Sequence, residues 1–488
     1  MAATGKIVID ERMRSHLGIL NIEWFSSFIF EHLAIDFVRK NYFLGENFMA
    51  VPASELLEKI RQQFDSAPYP RVSLDSNPQD FPNLLYIHNL VTAYYLRNQK
   101  VIDTKGKVIL DAGCGSGWKS LLLAEANPGA KIIGIDLSEE SVKLARQRLE
   151  FHGFDNAEFH ILGIDDLLKY DWEFDYINCD ELLYLFNDIG KALQVMKMVL
   201  KPEGIIRSNL HSSIQRFNYF RAQKVFKMMG LMDGNPEDLE MGIVVEIMNA
   251  LKDKVNLKAL TWNSNYEGED GKQRILMNYL FQGDKGYTIT DMFNGFRTAN
   301  LEFISMVNWK EWNLTNLFKE PDNLPAFIGI SLPESSIEEQ LQLFELMHPV
   351  HRLLDFWCGH PNQGQSFVPV QEWSDADWEK VKVHLHPQLK TSDVREELIA
   401  CIREIRPFVI SEHLPIIEES VSIDSSMAFC LVSLLDEAQS MLSLVERWKQ
   451  IRPLDPVTLE ATDEEQAFYL LQQMFLRLES LGYVMLEA

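Results

Sequence analysis

The sequence predicts an α/β fold, in which a doubly wound sheet of mostly parallel strands lies between mainly helical N-terminal and C-terminal regions. Short β-rich runs recur between residues 107 and 209, namely KVILDAG, KIIGIDL, AEFHILGI, FDYINC and GIIRSNL. Amphipathic segments of helical spacing, such as SEESVKLARQRLEFHG, alternate with these runs. Strands that alternate with helices pair in parallel through crossover connections, so a doubly wound sheet is expected.

Three regions are expected along the 488 residues, because domains usually contain roughly 100 to 200 residues each. Residues 1–100 are predicted to form a helical N-terminal subdomain and lid, since apolar residues recur at helical spacing from Asp10 to about Gln63. Residues 101–310 form the core that carries the sheet, with a helical insertion near 213–284. Residues 311–488 form a mainly helical C-terminal domain.

Individual elements of the core also have local signals. Ser138, followed by Glu139 and Glu140, supplies a cap and first-turn acids for the helix after the second β-rich run. Gly153 is suited to the end of that helix. The segment YTITDMFNGFRTANLEFISMV predicts a further helix and strand that complete the sheet.

Composition and charge indicate which kinds of partner and which cellular compartment suit the chain. The chain has 71 acidic and 46 basic residues, a formal charge of −25, which repels nucleic acid and anionic lipid. The N-terminal residues lack the apolar centre of a signal peptide, and the apolar stretch from Phe25 to Phe37 is interrupted by charged residues. Five scattered cysteines fit a reducing compartment. We therefore expect a cytoplasmic protein without a nucleic-acid or membrane partner.

A glycine-rich motif carries the chemistry of the core. The run VILDAGCGSGWKSLLLAEA places Asp111 and three glycines, Gly113, Gly115 and Gly117, between a strand and a helix. The glycines allow a tight turn and a close approach of a ligand to the backbone. Asp136 follows 19 residues after Gly117, at the end of the next strand. A carboxylate in that place can accept hydrogen bonds from the two ribose hydroxyls of an adenosine-containing cofactor.

The loop itself discriminates among such cofactors. Dinucleotide-binding loops have the spacing G-x-G-x-x-G, whereas this loop reads G-C-G-S-G. Asp111 would repel a pyrophosphate, but it suits a sulfonium cation with an amino-acid tail.

The segment from Val108 to Asp136 resembles the first two motifs of the class I S-adenosylmethionine-dependent methyltransferases, of a bacterial type with helical N-terminal and C-terminal extensions. The resemblance implies a Rossmann-like sheet and S-adenosylmethionine as the cofactor. It also implies that Asp111 orders the loop and the cofactor's amino end, and that the glycines line the methionine portion. Asp136 would hold the ribose. The remaining cofactor contacts it implies are Leu137, and, near the adenine, Ile164 and Asp165 in the run LGIDDL, where many relatives have Asp at the position of Gly163.

The fourth β-rich run ends at NCDE, which is the family's usual position for residues that face the transferable methyl group. If the acceptor is an amine or a hydroxyl it must lose a proton, and Asp180, Glu181 or His211 could accept it. His211 is equally compatible with a surface or helix-capping role. The expected lid or substrate contacts are Tyr69, Tyr184 and Arg207, and both tyrosines also fit an ordinary role as core aromatics.

The class of acceptor is left open between three hypotheses. The segment FDSAPYPR resembles one that precedes the catalytic core in bacterial methyltransferases, several of which act on protein. It favours a protein or peptide side chain as the acceptor. The alternatives are a small metabolite, or a regulator that binds S-adenosylmethionine without turnover. Adenine and glutamine-amide chemistry is disfavoured, because NCDE lacks the prolines that follow Asn or Asp in those enzymes.

The run HPVHRLLDFWCGH has a spacing that could suggest zinc, through His348, His351, Cys358 and His360. Its apolar positions instead predict a core helix, so no metal is expected.

Overall fold

The structure is a computed structural model that describes residues 53–66, 68–266, 268–364, 366–454 and 458–488. The helices expected between Asp10 and Pro52 lie outside the described residues. Their predicted continuation to Gln63 is confirmed by the helix Ala53–Ser66.

A central sheet of eight strands organises the described residues. Its strands are β1 (Val108–Ala112), β2 (Lys131–Asp136), β3 (Ala157–Ile161), β4 (Phe174–Cys179), β5 (Leu200–Ser212), β6 (Gly286–Tyr287), β7 (Glu302–Met306) and β8 (Leu353–Gly359). The order is β3-β2-β1-β4-β5-β8-β7, and β6 pairs with one end of β5. Strands β1 to β5 pair in parallel, which confirms the predicted doubly wound α/β sheet.

Helices cover the central sheet and build the insertion. Before and between its strands lie α1 (Ala53–Ser66), α2 (Pro82–His88), α3 (Leu90–Asn98), α4 (Trp118–Ala126), α5 (Glu139–Phe151), α6 (Ile189–Met198), α7 (Phe217–Met228), α8 (Asp238–Ala250), α9 (Asn256–Thr261), α10 (Gly268–Tyr279), α11 (Ile289–Ala299), α12 (Ala326–Ser331) and α13 (Ile337–Met347). Helix α5 begins as predicted, because the Ser138 hydroxyl accepts a hydrogen bond from the Ser141 amide at 3.1 Å. Gly153 follows the end of α5 with a positive φ of 78°.

The predicted insertion is helical and has an apolar core of its own. Helices α7 to α10 bury Phe226, Val244 and Tyr279 against one another. Helix α11 and strand β7 then follow, and β7 joins the edge of the central sheet as predicted.

Strand β8 corrects one expectation. The run LLDFWCG within residues 348–360 was expected to be a core helix, but it forms a strand that pairs antiparallel with β5 and β7. It is buried on both faces, so its apolar residues do not alternate with polar ones, and short apolar runs of this kind are ambiguous between helix and strand. The central sheet therefore extends past residue 310. Cys358 is buried inside it.

The C-terminal region combines helices with short strands. The strands are β9 (Lys382–Leu385), β10 (Phe408–Val409), β11 (Ser422–Ile423), β12 (Gln439–Ser440) and β13 (Val484–Glu487). The helices are α14 (Asp375–Lys380), α15 (Ser392–Glu404), α16 (Ile410–His413), α17 (Ser425–Leu434), α18 (Met441–Ile451) and α19 (Glu464–Ser480). Strands β12, β9 and β13 form an antiparallel sheet whose Val383 packs with Leu398 and Phe475 in a second core. None of the described helices combines the length and hydropathy that a bilayer crossing requires.

His386 links the C-terminal region to α3 and makes stability depend on pH. Its Nδ1 accepts a hydrogen bond from the Gln388 amide, so Nε2 carries the proton and donates it to the Thr92 hydroxyl at 2.9 Å. Burial, reinforced by the charge of Lys310, lowers the pKa of His386 to about 3. The unfolded chain takes up a proton below about pH 6.5, and the folded chain does not, so this group costs stability as the pH falls.

We expect His386→Gln to reduce the acid sensitivity of folding. Between about pH 6 and pH 4.5, the wild type should lose about 1.4 kcal/mol per pH unit more than the variant. Urea unfolding at several pH values measures this difference. Parallel pH profiles for the two proteins would show that His386 is charged in the folded chain.

Candidate functional site

The glycine loop follows β1 and lies beside the end of β2. The amides of Gly113 and Cys114 both donate to the Ile135 carbonyl, at 2.8 and 2.9 Å. The Gly115 amide donates to the Asp136 carboxylate at 2.9 Å, and the Ser138 amide donates to its other oxygen at 2.9 Å. Asp136 therefore tethers the loop, and its carboxylate lies at the carboxyl edge of the sheet where the ribose was expected.

Glycine is required in the loop for steric reasons. Gly113, Gly115 and Gly117 all have positive φ values, of 77°, 51° and 80°. A β-carbon on Gly117 would lie 2.5 Å from the Ala145 Cα of α5, and one on Gly115 would collide with the Tyr69 carbonyl oxygen. The loop thus bends sharply and is approached closely by other backbone segments.

Tyr69 lies against this loop, in the place expected of a lid. Its carbonyl accepts a hydrogen bond from the Ser116 amide at 2.9 Å, and the Pro70 carbonyl accepts one from the Ser116 hydroxyl at 2.7 Å. Its phenol donates to Glu181 at 2.9 Å. Tyr69 therefore joins the glycine loop to the end of β4.

Asp111 is a buried carboxylate at the end of β1. It accepts hydrogen bonds from the Ser120 hydroxyl at 2.5 Å and from the Asn178 amide at 2.9 Å. Burial raises the pKa of Asp111 to about 6, against the effect of these hydrogen bonds. Asp111 thus orders the start of α4 and the end of β4.

The expected adenine end lies beyond β2 and β3. Leu137 is partly exposed and approaches Gly163, where an added β-carbon would lie 3.2 Å from its side chain. Ile164 is buried and Asp165 is exposed, at the start of a 3-10 helix over Ile164–Lys169. The Asp165 side chain is therefore accessible to a ligand, whereas Ile164 can offer chiefly its backbone.

Asp180 lies in a buried network of charges. It forms ion pairs with Lys119 and with Arg207, the latter at 3.7 Å, and accepts a hydrogen bond from Asn209 at 2.5 Å. Burial alone would raise the pKa of Asp180, but the charges of Lys119 and Arg207 outweigh it and hold the pKa well below its usual range. Asp180 is therefore a charged anchor and does not have the high pKa typical of a general base.

Arg207 and Tyr184, the other expected substrate contacts, are both buried. Arg207 donates to both Asp355 oxygens, at 2.7 and 3.2 Å, and its side chain is 2% exposed. Tyr184 is 1% exposed and stacks on His211 with ring centroids 3.8 Å apart. Arg207 therefore holds Asp355 in place, and Tyr184 holds the ring of His211.

Glu181 is the more accessible carboxylate at the end of β4. Its backbone has a φ of 58°, which is uncommon for a residue other than glycine. The Glu181 amide donates to Asn209 Oδ1 at 2.9 Å, and the carboxylate forms an ion pair with Arg352. Burial opposes ionisation, but Arg352 outweighs it and lowers the pKa of Glu181. Glu181 is thus held ionised beside Tyr69.

Both ring nitrogens of His211 are occupied. Nδ1 lies 2.6 Å from the Asp284 carboxylate and Nε2 lies 3.0 Å from an Arg352 guanidinium nitrogen. Burial lowers the pKa of His211 to about 4, although Asp284 opposes the shift. A neutral ring with this bonding has no lone pair left for an acceptor's proton.

Sequence reasoning missed four partners in the site: Lys119, Asp284, Arg352 and Asp355. Lys119 follows the glycine loop directly and could have been suspected from its position. Asp284, Arg352 and Asp355 are far away in sequence, and they reach the site only because β6 and β8 pair with β5.

The residues present fit S-adenosylmethionine. The loop has the bare backbone that close approach requires, and the Asp136 carboxylate retains capacity to accept from ribose hydroxyls, since a carboxylate has about four acceptor sites and, among the described residues, Asp136 accepts from backbone amides only. The Asp136 carboxylate contacts the loop directly and suits a cationic ligand.

Comparisons with known proteins agree with this geometry. A family described as a methyltransferase domain matches residues 103–273. A ubiquinone biosynthesis O-methyltransferase of Coxiella burnetii is 31% identical over 156 residues, which are 31% of this chain and 64% of that protein, or just under two thirds of its length. An uncharacterized protein of Synechococcus sp. is 24% identical over 337 residues, covering 68% of this chain and 77% of that protein.

A solved structure supports the fold over most of the chain. PKMT2 from Rickettsia typhi in complex with AdoHcy aligns with a TM-score of 0.53 at 17% identity, over 86% of this chain and 77% of that one. The sheet order, the glycine loop with its Asp136 tether and the domain match point the same way. Residues 103–273 therefore form a methyltransferase domain, and the chain is similar to S-adenosylmethionine-dependent methyltransferases in sequence and in fold.

Proposed function

We propose that this enzyme methylates a side chain of a protein or peptide. The observation that supports this acceptor is a cavity of about 400 Å³ between the lid and the helical insertion. Its walls include Phe64, Tyr69, Met241, Gln273, Leu276 and Met277.

The shape and chemistry of this cavity suit an inserted side chain. Arg71, Glu237 and Asp238 are exposed and line its solvent side, whereas Met241 and Leu276 are buried. Tyr69 also lines it and contacts both the glycine loop and Glu181. A residue of a larger chain could therefore place its aliphatic stem along the apolar walls while its backbone stays among the charged groups.

In this proposal, Glu181 orients the acceptor atom. When bound, S-adenosylmethionine would supply an electrophilic methyl group for transfer to the acceptor's lone pair, with the carbon–sulfur electron pair left on sulfur. The lowered pKa of Glu181 makes it a weak base, so its charge serves mainly to align the acceptor N–H or O–H. The proton released by the acceptor then passes to water.

A small metabolite is the second candidate. The cavity volume is within the range of pockets for small ligands, roughly 300 to 1,000 Å³. The relative from Coxiella burnetii is also named for ubiquinone biosynthesis.

An isotope-transfer assay separates the two candidates. S-adenosylmethionine with a tritiated methyl group is incubated with the enzyme and with a lysate of cells that lack it, divided into a protein fraction and a small-molecule filtrate. We expect label in the protein fraction. Label confined to the filtrate would contradict the proposal and favour the metabolite.

Filling the cavity provides a matched control. We expect Gln273→Trp, on the cavity wall, to reduce protein labelling by about tenfold or more, the effect of misplacing an acceptor. Arg274→Trp changes the adjacent, exposed residue of α10 and should leave labelling unchanged. Both variants should bind S-adenosylmethionine as tightly as the wild type. Equal labelling by the two variants would show that the acceptor does not bind in this cavity.

A further inference from the structure

Two residues from outside the matched domain join one hydrogen-bonded set with Glu181 and His211. Arg352 precedes β8 and donates to the Glu181 carboxylate through one terminal nitrogen, while its other terminal nitrogen lies 3.0 Å from His211 Nε2. Asp284 precedes β6 and contacts the opposite nitrogen of His211. The matched domain ends at residue 273.

The hydrogen-bond directions along this set are defined. Asp284 also accepts from Arg216 at 3.0 Å and from Gln223 at 2.8 Å, so it is an ionised acceptor. His211 Nδ1 therefore carries the proton, and Nε2 presents its lone pair to the Arg352 guanidinium. Stacking on Tyr184, with an interplanar angle of 15°, fixes the plane of the ring.

We propose that Asp284 and Arg352, connected by His211, are positioning residues that orient Glu181 for methyl transfer. The proposal rests on the proposed role of Glu181 toward the acceptor. Arg352 has two terminal nitrogens, and one is used on each side, so a lysine could keep its charge but not both contacts. Its side chain is 43% exposed, so substitutions there should be tolerated by the fold.

The first test needs no acceptor. The protein is labelled with ¹⁵N-histidine, and the His211 signals are assigned by their loss in His211→Gln. We expect the neutral ring to carry its proton on Nδ1 and to titrate below the usual range of histidine. Burial lowers the pKa of His211 to about 4, Arg216 and Arg352 add to the shift, and Asp284 opposes it. We expect the pKa of His211 to rise in Arg352→Met and to stay low in Arg297→Met, a variant of an exposed arginine paired with Glu338. An unchanged value in Arg352→Met overturns the contact, and with it the proposal.

The second test measures the kinetics of methyl transfer to the fraction that becomes labelled in the transfer assay, whether this is the protein fraction or the small-molecule filtrate. Arg352→Met should lower kcat by up to about 100-fold, the effect of a misplacement of about 1 Å in an active site. The KM for S-adenosylmethionine should stay unchanged. The acid limb of kcat/KM should also move to higher pH, because Arg352 no longer lowers the pKa of Glu181. Arg352→Lys should restore part of kcat.

The two tests separate the two proposals. Failure to label the protein fraction would contradict a protein or peptide acceptor. The His211 titration would still show whether Arg352 contacts His211. A wild-type kcat and an unmoved acid limb in Arg352→Met would overturn the positioning role.

Discussion

We expect Gly115→Val to remove detectable S-adenosylmethionine binding. Valine cannot readily adopt the positive φ of 51° at this position, and its side chain would collide with the Tyr69 carbonyl. The loop and the lid must then separate, and the backbone surface for the methionine portion is lost. Isothermal titration calorimetry measures the effect, and circular dichroism checks that the variant is folded.

A matched glycine provides the control. Gly242 lies in α8, where an added β-carbon meets nothing within 4 Å, so Gly242→Val should bind as the wild type does. Asp136→Ala should weaken binding by roughly 100-fold, since two hydrogen bonds to a charged group contribute about 3 kcal/mol. Wild-type affinity in a folded Gly115→Val protein would place the cofactor elsewhere.

The second large effect concerns stability. Arg207→Met leaves the buried Asp180 and the half-buried Asp355 without the arginine that both contact. Removing one partner from a buried ion pair costs about 3 to 5 kcal/mol, a large part of the stability of a typical domain. Urea unfolding followed by tryptophan fluorescence measures the loss.

Two further variants identify the cause of this loss. Arg297→Met breaks an exposed pair with Glu338 and should cost about 0 to 1 kcal/mol. Adding Asp355→Asn to Arg207→Met should recover part of the stability, because one unpaired buried charge is removed. A loss below about 1 kcal/mol in Arg207→Met would show that water reaches the network.

Local sequence signals predicted the elements that they govern. The five β-rich runs became β1 to β5, and the helices α4, α5 and α6 after β1, β2 and β4 provide the predicted crossovers between parallel strands. The Ser138 cap and the Gly153 end of α5 are also confirmed, because helix caps depend only on nearby residues in the chain. The family and the cofactor followed from the glycine loop and Asp136.

Long-range pairing could not be predicted in this way. The strand LLDFWCG was mistaken for a helix, because burial on both faces removes the alternation that marks a strand. Arg352 and Asp284 have no motif, and they approach Glu181 and His211 only through the pairing of β8 and β6 with β5. The division of the chain at residues 100 and 310 and the roles of the site residues stay predictions.

The glycine loop and Asp136 are expected to hold the adenosine of the cofactor. A crystal structure with S-adenosylhomocysteine tests this expectation most directly. We expect the ribose hydroxyls within hydrogen-bond distance of the Asp136 carboxylate and the homocysteine portion along Gly113 and Gly115. A ligand bound with its ribose away from Asp136, or a glycine loop from which Tyr69 excludes the ligand, would place the cofactor site elsewhere.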